Sequence, residues 1–442
     1  MAKVIPFRGI FYNSKRVGNL KAVVTPPYDV IGAKEQDAFY ESHSHNIIRL
    51  ILGKEYAADS ETDNRYTRAA TAFEKWRRED ILVRDEIPAL YFTETDYRVH
   101  DRQVTRCGLI ALVALEELAS GVILPHERTF SVTRSERLRL VETCKANFSQ
   151  IFALYPDQAN RVCGHLKQET AGKMPDIDFK DSDGMCHRLW RVTDPGIADA
   201  VAAEMSEKPL YIADGHHRYE TALSYRNSRL SENPALPEDA PCRYVMMYLS
   251  SMHDPGLTVL PAHRVVNSLP KAKTDSFLDK AAPFFDVEIF NGTDAKIRER
   301  AFLDSLAKSN SKKGTAVGVL MRNKEAFYVL RLREGVMERL FADLLPGPLM
   351  RLDVTVVTQV FLKNILEFDE TDLDNEENLS YTSKIPEAID AVCKFGRAAA
   401  FIMNPTRIKE VQEIADARLV MPRKSTYFYP KVITGLVINR ID

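Results

Sequence analysis

The run Asp214-Gly215-His216-His217-Arg218 joins a short apolar strand pattern to a helical pattern, and its residue types could bind an anion. The first turn of a helix leaves backbone N–H groups without intrahelical partners, and the macrodipole makes that end electropositive. Gly215 has no side chain, so a ligand could approach the backbone closely. The two imidazoles and the guanidinium add hydrogen-bond donors. This chemistry predicts a phosphate-binding helix N-terminus.

The carboxylate of Asp214 has two possible roles at this helix start. It could cap the helix, or it could hold a divalent cation, Mg²⁺, beside bound phosphates. The alternative without a ligand is a capped helix whose histidines satisfy buried polar groups. A metal site built by both histidines is not favoured, because adjacent residues at a helix start point in different directions.

A second candidate lies in the loop Pro125-His126-Glu127, which follows a short apolar run. The Glu127 carboxylate could accept the proton of a substrate hydroxyl during phosphoryl transfer. His126 could orient that substrate, and Arg137 in the next predicted helix is a candidate phosphate contact. The alternative is a solvated loop charge beside a solvated helix face.

Five further polar residues are weaker candidates for a substrate pocket: Asn46, Arg49, His263, Arg264 and Lys424. The first two begin a predicted strand over 46–52, where a turn and a surface arginine explain them nearly as well. Lys424 opens the segment 424–431, which mixes cations with aromatic residues. That segment could close the site or stack on a base, and packing between the halves of the chain explains it equally.

Composition excludes several classes of protein. The 442 residues carry 60 Lys+Arg against 62 Asp+Glu, a formal charge of -2 that argues against coating nucleic acid. The N-terminus does not resemble a signal peptide, and the longest apolar run, 109–115, is far shorter than the roughly 20 residues that span a bilayer. The six cysteines are scattered without a CxxC pair, which predicts reduced thiols in a cytoplasmic protein and no zinc-site spacing. No P-loop is present.

Apolar runs alternate with amphipathic stretches, which predicts a mixed α/β (α+β) fold. The pattern divides into an N-terminal region 1–120, a region 121–265 that carries the candidate chemistry, and a C-terminal α/β region 270–442. The clearest predicted elements are helices over 34–43, 63–79, 134–147 and 219–230 and strands over 88–99, 103–115, 151–155, 209–213 and 244–249. Strands 88–99 and 103–115 form a predicted hairpin around His100-Asp101.

The segment IADGHHRYETA (212–222) resembles the signature of a large prokaryotic family named only as domain of unknown function 1015. Further segments resemble the same family over nearly the whole chain: PPYDVI (26–31), HNIIRL (45–50), LPHERT (124–129), ANFS (146–149), DPGL (254–257), LPAHR (260–264) and KSTYFYPK (424–431). The family name itself implies no activity.

A more distant resemblance does imply one. The family is similar to the ParB/sulfiredoxin superfamily, in which a related segment binds nucleotide phosphates, and its free L-serine kinases carry Pro-His-Glu upstream of Asp-Gly-His-His-Arg. This chain keeps that order, with 86 residues between Glu127 and Asp214. The resemblance implies a ParB/sulfiredoxin-like core with an insertion near 156–207.

Together, the residues and the resemblance predict a kinase that uses ATP or ADP with Mg²⁺ to phosphorylate a small hydroxyl substrate such as L-serine. Asp214 to Arg218 would hold the phosphates, and Glu127 would act as the base. Two alternatives stay open: a non-catalytic or slowly hydrolysing ParB-like nucleotide switch, and a nuclease on the same fold. Neither a membrane nor a nucleic acid is an expected partner.

Overall fold

A computed structural model describes residues 2–99, 102–127, 129, 131–310 and 314–442. The chain forms two compact units, the first comprising Met1–Thr258 with Pro430–Asp442 and the second Val259–Tyr429. The predicted boundary at residue 120 lies inside unit 1, because strands from both sides of it hydrogen-bond in one sheet. The predicted region 270–442 contributes to both units, because its last residues belong to unit 1.

Unit 1 contains twelve strands from its long segment and one from the end of the chain, together with eight α-helices, counted over the described residues. The strands are β1 Val4–Ile5, β2 Ile10–Tyr12, β3 Leu82–Arg84, β4 Leu90–Val99, β5 Arg102–Ala114, β6 Ile123–Leu124, β7 Ala146–Asn147, β8 Ile151–Tyr155, β9 Ile177–Lys180, β10 Cys186–Val192, β11 Leu210–Asp214, β12 Tyr244–Ser251 and β21 Asn439–Arg440. The helices are α1 Ser14–Val17, α2 Ala33–Ser42, α3 Ile48–Ile51, α4 Arg65–Arg78, α5 Ser131–Cys144, α6 Arg161–Thr170, α7 Pro195–Met205 and α8 His216–Glu232.

The main sheet of unit 1 has the strand order β6-β11-β8-β12-β5-β4-β10-β9, and β1 pairs with β5 in addition. β6 and β11 are parallel, as are β8 and β12. The other pairs are antiparallel. Strands β9 and β10, from the segment predicted as an insertion, extend one edge of this sheet. The apolar face of the central strands packs against helices α6, α7 and α8 in one core cluster.

The mixed α/β fold class is confirmed. The predicted helices over 34–43, 63–79 and 134–147 correspond to α2, α4 and α5, and the two long predicted strands correspond to β4 and β5. The turn predicted at His100-Asp101 lies outside the described residues. The strand predicted over 46–52 is wrong: this stretch contains the short helix α3, because a short apolar run does not by itself distinguish a strand from a buried helix.

Unit 2 is a six-stranded antiparallel sheet in the order β15-β17-β16-β19-β14-β18, with helices packed on it. Its strands are β13 Thr258–Leu260, at the junction of the units, β14 His263–Val266, β15 Phe285–Phe290, β16 Ala316–Met321, β17 Phe327–Leu332, β18 Leu379–Thr382, β19 Ala399–Ile402 and β20 Tyr427–Tyr429. Its α-helices are α9 Lys271–Ala281, α10 Ala295–Asn310, α11 Val336–Phe341, α12 Gly347–Met350, α13 Asp353–Val356, α14 Glu370–Asp374, α15 Ile385–Cys393 and α16 Ile408–Asp416, and a π-helical segment Val357–Ile365 follows α13.

Across the described ranges of both units, we find no helix with the length and apolar character that a bilayer crossing requires.

Candidate functional site

Two loops that are far apart in sequence meet at one edge of the main sheet. β6 and β11 are parallel neighbours, with Leu124 opposite Tyr211, so both strands end at the same edge. The loop after β6 carries Glu127, and α8 begins directly after β11. The Glu127 Oε2 atom therefore lies 4.0 Å from Nδ1 of His216, although 86 residues separate Glu127 from Asp214. The sheet pairing brings together the two motifs that carry the predicted chemistry.

The Asp214 carboxylate is the centre of a buried ion cluster. One of its oxygens accepts a hydrogen bond from Nη2 of Arg218, and the other accepts one from Nζ of Lys431. Nη1 of Arg218 donates in turn to the carbonyl of Gln150, the residue before β8. Burial alone would raise the pKa of Asp214, but Lys431 and Arg218 hold it well below its ordinary value. The carboxylate is therefore ionised and forms ion pairs with both side chains.

These contacts change the role expected of Asp214. The charge of this carboxylate is already balanced by a guanidinium and an ammonium, and a further cation beside them would be repelled, so Asp214 is a poor candidate for the predicted Mg²⁺ ligand. The structure instead makes it the anchor of Arg218 and of the C-terminal segment through Lys431. The segment 424–431 was predicted to close the site or to pack, and its last residue does contact the DGHHR run.

Gly215 allows Arg218 to fold back over the start of α8. Gly215 is the N-cap in the left-handed region, at φ +92°, which favours glycine. A Cβ placed on it would lie 2.8 Å from Nε of Arg218. The space above the glycine backbone, predicted as an open approach for a ligand, is thus occupied by the Arg218 guanidinium. An anion at this helix end would meet Arg218 before it met the backbone.

We expect Gly215→Ala to lower the free energy of unfolding by about 1–2 kcal/mol, since a non-glycine residue at positive φ and a displaced buried arginine both carry a cost. Gly172→Ala is the matched control, because Gly172 also has positive φ (+73°) but has no atom within 4 Å of its Cβ position. Denaturant unfolding of the two variants separates backbone strain from the contact with Arg218. Equal losses in both variants would contradict a special role for Gly215.

Two histidines form a buried, uncharged pair beside the ion cluster. The rings of His126 and His216 meet edge to face, with centroids 4.8 Å apart. Burial lowers the pKa of His126 to about 4 and the pKa of His216 well below its ordinary value. Nε2 of His216 accepts a hydrogen bond from the backbone N–H of His126 at 3.3 Å. The neutral ring therefore carries its proton on Nδ1, the nitrogen that faces Glu127. His217, next in the chain, is half-buried.

Arg137 is a buried cation that lines a cavity in unit 1. It is 7 % exposed, its Nη1 donates to the carbonyl of Ile51 at 2.8 Å, and its guanidinium stacks on the ring of Tyr28 at 4.0 Å. Its Nε is buried and makes no hydrogen bond, and no carboxylate pairs with it among the described residues. The cavity, of about 50 Å³, is also lined by Arg218 and by Thr221, whose buried hydroxyl has no hydrogen-bond partner there. The predicted phosphate contacts Arg137 and Arg218 thus share one cavity.

Asn46 and Arg49 have structural roles, in contrast to the pocket predicted for them. Asn46 is fully buried, its Oδ1 accepts from the N–H of Ile48, and its Nδ2 donates to the carbonyl of Ala22. The guanidinium of Arg49 donates to the carbonyl of Tyr40 and stacks on the Tyr40 ring. Both side chains form hydrogen bonds with backbone groups of the segments around α2 and α3.

The other three pocket candidates belong to unit 2. Arg264, 1 % exposed, donates to the carbonyls of Ala262 and Arg423. His263 is fully buried, and its Nδ1 accepts from the N–H of Met403. Lys424 has φ +57°, a turn conformation. The contacts of His263 and Arg264 stabilise the start of β14, and we assign neither of them to the site in unit 1.

Sequence analysis did not single out Tyr28, Thr221 or Lys431 for the positions they occupy. Tyr28 and Lys431 lie in the segments PPYDVI and KSTYFYPK. The sequence therefore identified these segments as family motifs but did not indicate where they lie in the fold. Thr221 is three residues after Arg218 on α8, one helical turn away, which places both side chains on the same helix face.

The geometry defines a mixed α/β protein that has a buried ion cluster and a cavity lined by two arginines. Residues 4–355 match the family described as "Protein of unknown function (DUF1015)", and the chain belongs to that family. None of the curated proteins compared with the chain matches it.

Three solved structures resemble the chain at low identity. A conserved hypothetical protein from Pyrococcus furiosus is 15% identical, with a TM-score of 0.33 over 72% of this chain and 90% of its own. A free serine kinase in complex with AMP is 12% identical, with a TM-score of 0.33 over 71% and 85%. SbnI from Staphylococcus aureus, truncated at its C-terminus, is 10% identical, with a TM-score of 0.35 over 74% and 85%. Likenesses this weak do not assign a function to the chain.

Proposed function

We propose that this protein is a nucleotide-dependent phosphotransferase that phosphorylates a small hydroxyl substrate, with free L-serine as the first candidate. The observation that carries the proposal is Arg137: a buried guanidinium that has no acidic partner among the described residues, in the wall of a cavity that Arg218 also lines. A buried charge left unpaired is costly, by several kcal/mol, so such a site favours an anionic ligand. A cavity of about 50 Å³ has room for more than one water-sized group.

The proposed roles follow from the positions of the side chains. Phosphate oxygens would accept hydrogen bonds from Arg137 and Arg218, and the N-terminal end of α8 adds its positive dipole. A phosphate that reached Arg218 would compete with Asp214 for the guanidinium. Mg²⁺ accompanying the nucleotide stays a prediction, and Asp214 is not the residue that we propose to hold it.

Glu127 is proposed as the general base. It is partly exposed, and the Nδ1–H of neutral His216 faces its carboxylate, so His216 can orient it without neutralising it. The substrate hydroxyl oxygen would form a bond to the terminal phosphorus, the bond from that phosphorus to the nucleotide oxygen would break, and Glu127 would take the hydroxyl proton. His126 would act as a positioning residue, because its ring packs edge to face against the ring of His216 and its backbone N–H donates to Nε2 of His216.

The test is an assay of phosphoryl transfer. Purified protein is incubated with ATP or ADP, Mg²⁺ and a panel of amino acids and other small alcohols, and phosphorylated products are detected by mass spectrometry. We expect phosphoserine or another phosphorylated alcohol. Nucleotide binding without any product would favour the non-catalytic nucleotide switch instead, and nicking of a plasmid would favour a nuclease.

We expect Arg137→Met to weaken nucleotide binding about 10- to 100-fold, since a charge-assisted hydrogen bond contributes roughly 1.5–3 kcal/mol. Arg139→Met is the matched control, because Arg139 lies on the same helix, α5, but its side chain is exposed. Calorimetric titration with ADP and ATP measures both variants. An unchanged affinity in the Arg137 variant would exclude this cavity as the phosphate site.

A further inference from the structure

Two cysteines and an aspartate from distant parts of unit 1 form a buried cluster that the proposed function does not use. Cys107 lies on β5, Cys163 on α6 and Asp254 in the turn after β12. Their sulfur and carboxylate oxygen atoms all lie within 4.8 Å of one another, and the three residues are 4 %, 9 % and 7 % exposed. It is the one group of three or more metal-ligating side chains found in the described part of the chain.

The fold holds Asp254 against Cys107 through a close backbone approach. The turn 254–257 is the DPGL segment, and a Cβ on Gly256 would lie 2.1 Å from the carbonyl oxygen of Thr105 on β5, so only glycine fits there. The two Asp254 oxygens accept from the N–H of Gly256 at 2.9 Å and the N–H of Cys107 at 3.4 Å. The hydroxyl of Tyr97 donates to the carbonyl of Gly256 at 2.5 Å. The carboxylate is therefore fixed in place, and each oxygen keeps a further lone pair.

The charges of this cluster suit a soft divalent cation. Two thiolates and one carboxylate sum to three negative charges, which a divalent ion reduces to one. Lys167 lies one helical turn after Cys163 on α6, and its ammonium interacts with both sulfurs, so it would balance the remaining charge.

We propose that Cys107, Cys163 and Asp254 bind one zinc ion, a site independent of the proposed phosphotransferase activity. Thiolate and carboxylate are ligands that Zn²⁺ accepts in tetrahedral sites, and three protein ligands leave the fourth position for water. On binding, the two thiols lose their protons to solvent, and two sulfur–zinc bonds and one oxygen–zinc bond form. No oxidant or reductant takes part.

The experiment measures metal content and ligand identity in the full-length protein. The protein is purified under reducing conditions, stripped with a chelator, incubated with Zn²⁺, desalted and analysed for metal. We expect equimolar zinc in the wild type, a loss of at least ten-fold in Cys107→Ser and Cys163→Ser, and a weaker affinity in Asp254→Asn. Cys144→Ser is the matched control: Cys144 is also buried but is not in the cluster, so its zinc content should equal that of the wild type.

A second measurement keeps the proposal testable if the serine variants fail to fold. Titration of the stripped wild-type protein with Co²⁺ should produce a sulfur-to-cobalt charge-transfer band that saturates at one equivalent. Absence of that band together with absence of bound zinc would overturn the proposal. So would equimolar zinc that persists in a folded Cys107→Ser, Cys163→Ser double variant.

Discussion

The variant Glu127→Gln is expected to lower the rate of phosphoryl transfer about 100- to 10,000-fold, the usual contribution of a general base. Glutamine keeps the size and the polarity of the side chain but cannot take the proton of a substrate hydroxyl. The carboxylate is not among the groups that we propose to contact phosphate, so nucleotide affinity should change by no more than a few-fold. Steady-state kinetics and calorimetric titration of the same preparation measure the two quantities.

The control for this variant is Glu117→Gln. Glu117 is also in unit 1, but its carboxylate is exposed and pairs with Arg226. Its removal should leave turnover within two-fold of the wild type. If Glu127→Gln retained full turnover, Glu127 would not be the base; if it lost nucleotide binding as well, the glutamate would belong to the binding site and not to proton transfer.

Replacing the centre of the ion cluster, Asp214→Asn, is expected to lower the free energy of unfolding by about 3–5 kcal/mol, because removal of one partner leaves buried charges uncompensated. Arg218 and Lys431 would then face each other without an anion between them. A second substitution, Lys431→Met, should recover part of the lost free energy of unfolding, since it removes one of the two buried cations that no longer have a carboxylate partner. Denaturant unfolding followed by circular dichroism measures all three proteins.

Asp63→Asn is the control for the ion cluster. Asp63 also pairs with an arginine, Arg68 at 2.8 Å, but its side chain is 73% exposed, and exposed pairs contribute only about 0–1 kcal/mol. The direction with pH follows from the depressed pKa of Asp214. Its contribution is fully present above the ordinary carboxyl pKa of about 4 and is lost as pH falls towards the folded-state pKa. A loss in Asp214→Asn no larger than in Asp63→Asn would contradict the cluster.

The local part of the site could be predicted from the sequence. The apolar run before Asp214, the glycine at Gly215 and the polar helix start specify a strand, a turn and a helix, and the structure has β11 and α8 there. The same local rules failed after Asn46, where the apolar run also suits a strand but forms the short helix α3, and Asn46 Oδ1 accepts from the N–H of its first residue, Ile48. Local patterns identify the chemistry of a segment but not always its conformation.

The contacts between residues that are far apart in the chain could not be predicted from the sequence. The contact of Glu127 with α8 depends on parallel pairing of β6 with β11, and nothing in either segment specifies its partner. Lys431 reaches Asp214 across 217 residues. The pairing of Cys107 with Cys163 is of the same kind: no motif joins them, and only the packing of α6 on β5 brings the two sulfurs together.

The most direct test of the central claim, that anionic phosphate binds beside Arg137 and Arg218, is a crystal structure of the protein with ADP. The account predicts a phosphate group within hydrogen-bond distance of both guanidinium groups, with the Arg218 side chain shifted from Asp214 towards the ligand. A nucleotide bound elsewhere, with Arg218 still on Asp214 and the cavity beside Arg137 empty, would contradict it.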